Sequence, residues 1–238
     1  MSFKDLHLIN PIIRAVTEAG YSKPTAVQEQ TIPLILSGQD VAACAPEGSG
    51  KTSAFIMPVL QLLKKNTPEH QEIRALILAP TVDQVTGIED HCKQYSKYLP
   101  LSQLSVSEGE PASSQLAALR KRVDLLIATP GRLLELLNQR KINLARIELF
   151  ILDEADKMTD PVTAEQIKKI LLLVPGKRQT LLFSQVMTTA IRTITDSLLK
   201  KPVQVLISTG TAFQATHDQG GTDRKTFRKP ADIPAVSP

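Results

Sequence analysis

Short apolar runs alternate with longer amphipathic stretches along most of this chain. Brief apolar runs bounded by turn residues are typical of buried strands, whereas apolar positions three or four residues apart predict helices. Strand and helix in alternation predict βαβ crossovers, so we expect a three-layer α/β fold with a mostly parallel sheet and helices on both faces. The predicted strands are Val41–Ala45, Ala75–Ala79, Leu104–Val106, Leu125–Ala128, Leu149–Leu152, Thr180–Phe183 and Val203–Ile207.

Three helices have boundaries that can be predicted from local signals. Asn10 is placed to cap the first helix, and Pro11 lies in its first turn. A second helix is predicted over Ala26 to Ser37. A third begins at Asp160-Pro161, carries apolar residues at helical spacing, and stops before Pro175.

The composition favours an aliphatic core of the kind found in parallel sheets. Hydrophobic residues make up 42% of the 238 residues, yet aromatic residues make up 4% and tryptophan is absent. A sheet that is buried on both faces is usually rich in aliphatic side chains. The periodicity fades from about Ser208, so we predict one domain over residues 1–207 followed by a polar, disordered tail over residues 208–238.

Charge and cysteine content exclude several classes of protein. A net charge of +4 is compatible with an anionic partner but is weak support for one. Cys44 and Cys92 are the only cysteines and form no C-x-x-C pair, so neither a disulfide framework nor a zinc site is predicted. No apolar run approaches the length that spans a bilayer, and we expect a cytoplasmic protein without a membrane partner.

The segment Ala45-Pro46-Glu47-Gly48-Ser49-Gly50-Lys51-Thr52 lies between a predicted strand and a predicted helix, where phosphate-binding loops occur. We expect Lys51 to reach the β- and γ-phosphates of a nucleotide and Thr52 to hold Mg²⁺. Ala45 replaces the first glycine of the general pattern, and an ordinary glycine-rich turn is the simpler alternative. The backbone groups expected to bind phosphate belong to Gly48, Ser49 and Gly50.

Three carboxylates follow the predicted strand Leu149–Leu152, at Asp153, Glu154 and Asp156. Carboxylates at the carboxyl end of a strand beside a phosphate-binding loop suit Mg²⁺ binding and water activation. We expect Asp153 to hold the metal and Glu154 to position the attacking water. Alone, such a cluster is more often a helix cap or a solvated turn, but its pairing with GSGKT favours catalysis.

Together these motifs resemble the DEAD-box RNA helicases of the bacterial RhlE-like type, over residues 3 to about 207, and in particular their first, ATP-binding RecA-like domain. Residues 20–28 (GYSKPTAVQ) resemble the Q motif of that family, in which an aromatic ring stacks on adenine and a glutamine reads its edge. The resemblance implies that Tyr21 and Gln28 contact adenine and that Phe3 is the upstream aromatic residue. For Tyr21 the alternative is simple core packing.

The same resemblance implies contacts with RNA and a coupling device. Thr129-Pro130-Gly131-Arg132 matches the family motif in which a helix N-terminus and an arginine meet the RNA backbone. Further RNA contacts are implied for Pro80, Thr81 and Gly109. Asp156 and Ser184 occupy the positions that link hydrolysis to strand separation in the family.

Several motifs depart from the family pattern. Pro46-Glu47 replaces Gln-Thr in the phosphate loop, and a carboxylate about 5 Å from phosphate could cost roughly 3 kcal/mol of affinity. The family's Pro-Thr-Arg-Glu-Leu reads Pro80-Thr81-Val82-Asp83-Gln84, and its double glycine reads Glu108-Gly109-Glu110. Val186 replaces the threonine of the Ser-Ala-Thr motif. Nucleotide and RNA binding are therefore expected to be weak.

Three hypotheses about function follow. The first is an ATP hydrolase of the RNA helicase type that binds ATP, Mg²⁺ and RNA and does not unwind duplexes alone, because the family's second RecA-like domain would have to act in trans. The second is a catalytically impaired pseudo-helicase that binds nucleotide, RNA or a protein partner. The third is a fragment or damaged gene product that folds without selected activity.

Overall fold

An eight-stranded sheet forms the centre of the fold. The computed structural model describes residues 1–65, 72–109, 112–208 and 211–212. Seven strands run parallel in the order β3-β4-β2-β5-β6-β1-β7, and β8 pairs antiparallel with β7 at the edge. The strands are β1 (Val41–Cys44), β2 (Ala75–Leu78), β3 (Gln103–Val106), β4 (Leu125–Ala128), β5 (Leu149–Leu152), β6 (Gln179–Ser184), β7 (Val203–Ser208) and β8 (Thr211–Ala212).

Helices cover both faces of this sheet, which confirms the predicted three-layer α/β architecture. Short 3-10 helices at Phe3–Leu6 and Ala155–Met158 accompany them. The α-helices are α1 (Asn10–Glu18), α2 (Ala26–Leu36), α3 (Lys51–Lys65), α4 (Val82–Tyr95), α5 (Ala112–Ala118), α6 (Pro130–Asn138), α7 (Pro161–Leu171) and α8 (Thr189–Leu198).

The core is divided into two layers because neighbouring residues of a strand face opposite sides of the sheet. In β5, Leu149 and Ile151 pack in a cluster with side chains of α1 to α4. Phe150 and Leu152 pack in a second cluster with α6, α7 and α8. Every strand residue from Leu149 to Leu152 is buried, so the sequence contains a continuous apolar run there rather than an alternating one.

The predicted boundaries are confirmed at the start of α2 and at α7, whereas α2 ends one residue before the predicted Ser37 and α1 begins one residue earlier than predicted. The carboxylate of Asp160 caps α7, since its Oδ1 accepts the backbone N–H of Thr163 at 3.0 Å. Asn10 does not cap α1. It is the first residue of the helix, and the cap position belongs to Ile9, whose carbonyl accepts the N–H groups of Ile12 and Ile13.

The end of the predicted domain is a short β-ribbon. Strand β7 continues one residue beyond the prediction, and Thr211 and Ala212 pair with its last two residues, Ser208 and Ile207. Residues 213–238 lie outside the described residues, so the polar tail stays a prediction. No helix in the described part of the chain combines the length and the apolar character that crossing a bilayer demands.

A buried ion pair holds the amino ends of three strands together. Arg74 and Asp124 lie just before β2 and β4, their side chains are each 2% exposed, and Nη2 of Arg74 is 3.3 Å from Oδ1 of Asp124. Oδ2 of Asp124 accepts the backbone N–H of Ser102, just before β3, at 3.0 Å. Arg122 adds a second contact to the same carboxylate and is 35% exposed.

Replacing Asp124 by alanine is therefore expected to destabilise the domain by about 3–5 kcal/mol, because the guanidinium of Arg74 would lose its buried counter-ion. Urea unfolding measures the free energy of unfolding. Arg122→Ala is the matched control and is expected to cost no more than about 1 kcal/mol, since its ion pair is partly solvated. Equal losses in the two variants would contradict this account of the strand ends.

Candidate nucleotide and RNA site

Most predicted functional motifs follow the carboxyl ends of the parallel strands, which lie at one edge of the sheet, whereas Phe3, Tyr21 and Gln28 precede β1. The phosphate loop follows β1, Asp153 follows β5, and β6 lies between these two strands. The RNA motifs follow β2 and β4 in the other half of the sheet. Ligands of open α/β sheets bind at this edge.

The phosphate loop is folded around the ammonium group of Lys51. Nζ of Lys51 donates to the carbonyl oxygens of Ala45 at 2.7 Å and Pro46 at 2.8 Å, and the side chain is buried. Gly48 and Gly50 have φ values of 71° and 90°, which side chains with a Cβ rarely adopt. The lysine is thus held at the centre of the loop. There its ammonium group can exchange the two carbonyl oxygens for phosphate oxygens as hydrogen-bond acceptors.

Gln28 binds the phosphate loop directly. Its Nε2 donates to the carbonyl of Gly50 at 3.2 Å, and its Oε1 accepts the backbone N–H of Thr25 at 3.1 Å. A Cβ added to Gly50 would lie 2.6 Å from Nε2 of Gln28, which is closer than real Cβ contacts. Both ends of the Gln28 amide are therefore engaged by protein in this conformation, and its predicted contact with adenine stays a prediction.

The two aromatic residues predicted to lie at the nucleotide differ in exposure. Tyr21 is 48% exposed, so its ring is not part of the core and presents a surface on which a base can stack. Phe3 is 5% exposed and packs in the apolar cluster with α1 to α4. In this conformation Phe3 anchors the N-terminal segment to the domain.

Thr52 and Asp153, which are predicted to hold a metal ion, lie in the first turn of α3 and directly after β5. Mg²⁺ is commonly held in proteins by one or two carboxylates together with substrate phosphates and water, so this small donor set suits it. Within the described residues, no group of three or more histidine, cysteine or acidic side chains is arranged to hold a metal by itself. The donor set fits the predicted Mg²⁺, whose binding by these two residues stays a prediction.

Asp153 is the most strongly perturbed acid of the site. Burial raises its pKa to about 7, and the negative charges of Glu154 and Asp156 act in the same direction. The backbone N–H of Glu154, 3.0 Å from Oδ1, and the charge of Lys51 lower the pKa but do not offset burial. Asp153 is therefore a buried carboxyl and not part of a solvated turn, and such a carboxyl at this edge of the sheet is a candidate functional residue.

Glu154 is held by two donors that the sequence analysis did not single out. Its backbone is left-handed at φ 50°, and Oε2 accepts both Nε2 of Gln84 and Nζ of Lys157, the latter at 2.7 Å. The pKa of Lys157 is raised, first by this hydrogen bond and then by nearby negative charge that includes Glu47. Lys157 lies three residues after Glu154, a spacing that could have revealed the pair.

The coupling residues connect β6 to the acidic motif. Oδ1 of Asp156 accepts the backbone N–H of Gln185 at 3.0 Å, and the side chain of Ser184 is fully buried. Sγ of Cys44 lies 3.2 Å from the carbonyl of Gln185, which joins the end of β1 to the same turn. Val186 is 50% exposed, so the position of the missing threonine hydroxyl faces solvent.

The predicted RNA motif at the start of α6 is engaged by acidic and polar side chains of the same chain. The hydroxyl of Thr129 donates to Oε2 of Glu108 at 2.6 Å, and a Cβ on Gly131 would lie 3.0 Å from Oε1 of Glu108. Nη1 of Arg132 is 2.5 Å from Oε2 of Glu135, and the arginine is buried. Glu108 thus puts negative charge at a helix N-terminus that would otherwise attract phosphate.

The other predicted RNA residues border this motif. Thr81 is exposed and caps α4, since its Oγ1 accepts the backbone N–H of Gln84 at 3.3 Å, and Pro80 is half-buried beside it. Gly109 has a φ of 94°, so its backbone needs glycine, and Glu110 lies outside the described residues. A cavity of about 400 Å³ lined by Lys121 and Lys141 lies near the amino ends of the strands and is separate from these motifs.

Comparison with known proteins decides the family. The model of the DEAD/DEAH box helicase family matches residues 25–194. The chain belongs to this family. It is 39% identical over 212 residues to the mouse protein named probable ATP-dependent RNA helicase DDX27, an alignment that covers 89% of this chain and 28% of the relative.

Bacterial and fungal relatives show the same pattern. The DEAD-box ATP-dependent RNA helicase RhpA of Helicobacter pylori is 35% identical over 207 residues, covering 87% of this chain and 41% of the relative. The ATP-dependent RNA helicase DHH1 of Candida albicans is 35% identical over 204 residues, which cover 86% of this chain and 37% of the relative. The chain therefore spans well under half of these relatives, and the RhlE-like type stays a prediction.

The buried acid predicts an unusual dependence of stability on pH. Because the pKa of Asp153 is higher in the folded chain than in the unfolded one, the folded state binds its proton more tightly, and stability falls as pH rises from about 4 to about 7. Asp153→Asn is expected to raise the free energy of unfolding at pH 8 in Mg²⁺-free buffer by roughly 2–4 kcal/mol, with little effect at pH 4.

Urea unfolding at the two pH values measures this difference. The control is Asp160→Asn at the cap of α7, where hydrogen bonds from the helix N-terminus lower the pKa of the carboxyl, so no gain is expected at either pH. A loss of stability in Asp153→Asn at pH 8 would contradict the assignment of a buried, destabilising carboxylate.

Proposed function

We propose that this chain is the ATP- and Mg²⁺-binding, RNA-contacting first RecA-like domain of a DEAD-box ATP-dependent RNA helicase. The observation that carries the proposal is the convergence of Lys51 and Asp153 at the ends of β1 and β5, close enough for the lysine charge to act on the carboxyl. Family membership and the names of the relatives support ATP hydrolysis as the activity of the whole protein.

The roles of the residues follow from their chemistry. Lys51 would exchange its carbonyl acceptors for the β- and γ-phosphates of ATP, and the loop N–H groups of Gly48 to Gly50 would bind the same oxygens. Thr52 and Asp153 would hold Mg²⁺, which supplies positive charge to the phosphate oxygens during phosphoryl transfer. Glu154 would orient the attacking water, and Tyr21 and Gln28 would bind adenine.

RNA is the proposed macromolecular partner, bound weakly and through its backbone. Thr129 to Arg132 offer a helix N-terminus and a cation after β4. Pro80 and Thr81 extend this surface to the end of β2, and Gly109 extends it to the end of β3. Glu108 already engages Thr129, so an RNA phosphate would have to displace a carboxylate of the same chain. Binding that depends on phosphate contacts weakens steeply with salt.

Duplex unwinding is proposed to need a second RecA-like domain, which could act in trans. Strand separation in this family's manner requires two domains that close on ATP and RNA, and the second contributes a cation to the transition state. The relatives that match are more than twice as long as the region they share with this chain. We propose the cytoplasm as the location, in keeping with two unpaired cysteines.

The pseudo-helicase alternative rests on specific side chains. Glu47 is exposed in the phosphate loop, Glu108 lies on the N-terminus of α6, and Arg132 is bound by Gln115 and Glu135. If these contacts persist in the presence of ligands, the domain would bind nucleotide, RNA or a protein without useful turnover. Measurements of ATP hydrolysis with and without RNA separate the two functions.

Calorimetric titration of the full chain with ATP and Mg²⁺ tests the nucleotide site. Weak binding is expected, with a preference for ATP over GTP. Lys51→Ala should abolish binding, whereas Lys65→Ala at the far end of α3 should have no effect. Glu47→Thr should tighten binding by roughly 1–3 kcal/mol, because a carboxylate near phosphate is removed. Unchanged affinity in Lys51→Ala would show that the loop is not the site.

The RNA surface predicts opposite effects for two substitutions. Glu108→Gln keeps the size of the side chain but removes the competing charge, so it should tighten binding of a fluorescent single-stranded RNA, and Arg132→Ala should weaken it. Glu165→Gln on the exposed side of α7 is the matched control. Anisotropy at 50 and 200 mM salt measures both affinity and its salt dependence. Tight binding that persists at high salt would contradict this surface.

A further inference from the structure

One side chain connects the RNA half of the site to the nucleotide half. Thr81 and Gln84 follow β2, Glu154 follows β5, and these strands are neighbours in the sheet. Oγ1 of Thr81 donates to Oε1 of Gln84 at 3.1 Å, and Nε2 of Gln84 donates to Oε2 of Glu154. A continuous chain of hydrogen bonds therefore runs from a predicted RNA contact to the carboxylate that positions water.

The direction of each hydrogen bond in this chain is fixed by chemistry. An ionised Glu154 can only accept, so the NH₂ group of Gln84 must face it. The carbonyl oxygen of the same amide then faces Thr81, whose hydroxyl must donate. That hydroxyl also accepts the backbone N–H of Gln84 at the start of α4. The single proton of the Thr81 hydroxyl is thus committed to Gln84.

An RNA phosphate would compete for this proton. A phosphodiester oxygen is an acceptor without a proton of its own, so it can bind the Thr81 hydroxyl only when Gln84 gives that donor up. Losing one hydrogen bond of this kind shifts the population of a side-chain arrangement by roughly 2- to 12-fold. Contact between Thr81 and phosphate and contact between Thr81 and Gln84 are therefore alternatives.

We propose that Gln84 is a positioning residue that restrains Glu154 in the RNA-free domain and releases it when Thr81 binds an RNA phosphate. The inference rests on the proposed function, since it needs RNA at Thr81 and water activation at Glu154. Lys157 donates to the same Oε2, but its side chain is 45% exposed and lies outside the chain of hydrogen bonds to Thr81. Gln84 is half-buried and contacts both Thr81 and Glu154, so it is the restraint whose loss depends on RNA. A leucine, which the family pattern has at this position, could make neither hydrogen bond.

A double-mutant cycle on RNA affinity tests the link without requiring turnover. Gln84→Leu frees the Thr81 hydroxyl, so it should tighten binding of a fluorescent single-stranded RNA to the full chain by roughly 2- to 12-fold at 50 mM salt. The gain should vanish in a Thr81→Val background and return in a Thr81→Ser background, which keeps the hydroxyl. Thr86→Val, on the exposed side of α4, is the matched control and should leave affinity unchanged.

Thr81→Val also removes the cap of α4, so thermal unfolding of each variant confirms that the domain is folded. A gain in Gln84→Leu that persists in the Thr81→Val background would overturn the link, because the effect would then not pass through the hydroxyl. If the wild-type chain binds RNA and Gln84→Leu leaves that affinity unchanged, the link is overturned but the proposed function is not. A wild-type chain that binds no RNA would overturn the proposed function with it.

ATP hydrolysis gives a second readout that a merely structural role of Gln84 would not move. Gln84→Leu should raise kcat in the absence of RNA by roughly 2- to 12-fold, leave the KM for ATP unchanged, and reduce the stimulation by RNA. Glu154→Gln combined with Gln84→Leu gives the background rate of ATP hydrolysis. A lower kcat with an unchanged response to RNA would show that Gln84 supports Glu154 rather than restraining it, and would overturn the proposal.

Discussion

The parallel arrangement of seven strands, of which the central ones are buried on both faces, is the constraint on which the rest of this structure depends. Parallel strands bring all their carboxyl ends to one edge, so residues far apart in sequence meet there. Lys51, after the loop that follows β1, and Asp153, directly after β5, are an example, because only β6 lies between these two strands. The core then has to be stable enough to keep an uncompensated carboxyl such as Asp153 inside it.

The charged side chains near Asp153 do not offset the free-energy cost of burying its carboxyl. Asp153, Glu154 and Asp156 lie within four residues of each other, and Lys51 is bound by carbonyl oxygens rather than by one of these acids. The cation and the acids therefore lie near each other, while Lys51 donates to carbonyl oxygens of its own loop. Under the proposed function, an anionic nucleotide with its cation would satisfy both, so the fold would give up stability in exchange for binding.

The sequence predicted the strands within one or two residues because each is a short apolar run ended by a polar or glycine-rich motif. The positions of the motifs next to these strands could be read from the sequence, whereas the roles of their residues stay predictions. The sequence did not predict the contacts of Gln84 with Glu154 or of Glu108 with Thr129, since these pairs are 70 and 21 residues apart and meet only through the sheet. The cap at α1 was missed because the backbone carbonyl of Ile9, and not the side chain of Asn10, accepts the first N–H groups of the helix.

The contact between Gln28 and Gly50 makes the phosphate loop part of a larger mechanical unit. The loop is held by a side chain of α2, and α2 packs on α3, which begins in the loop itself. A displacement of α2 therefore moves the loop through the amide of Gln28. A side chain at position 50 would in turn displace Gln28. The side chain at position 28 and the absence of one at position 50 are therefore two halves of a single steric fit.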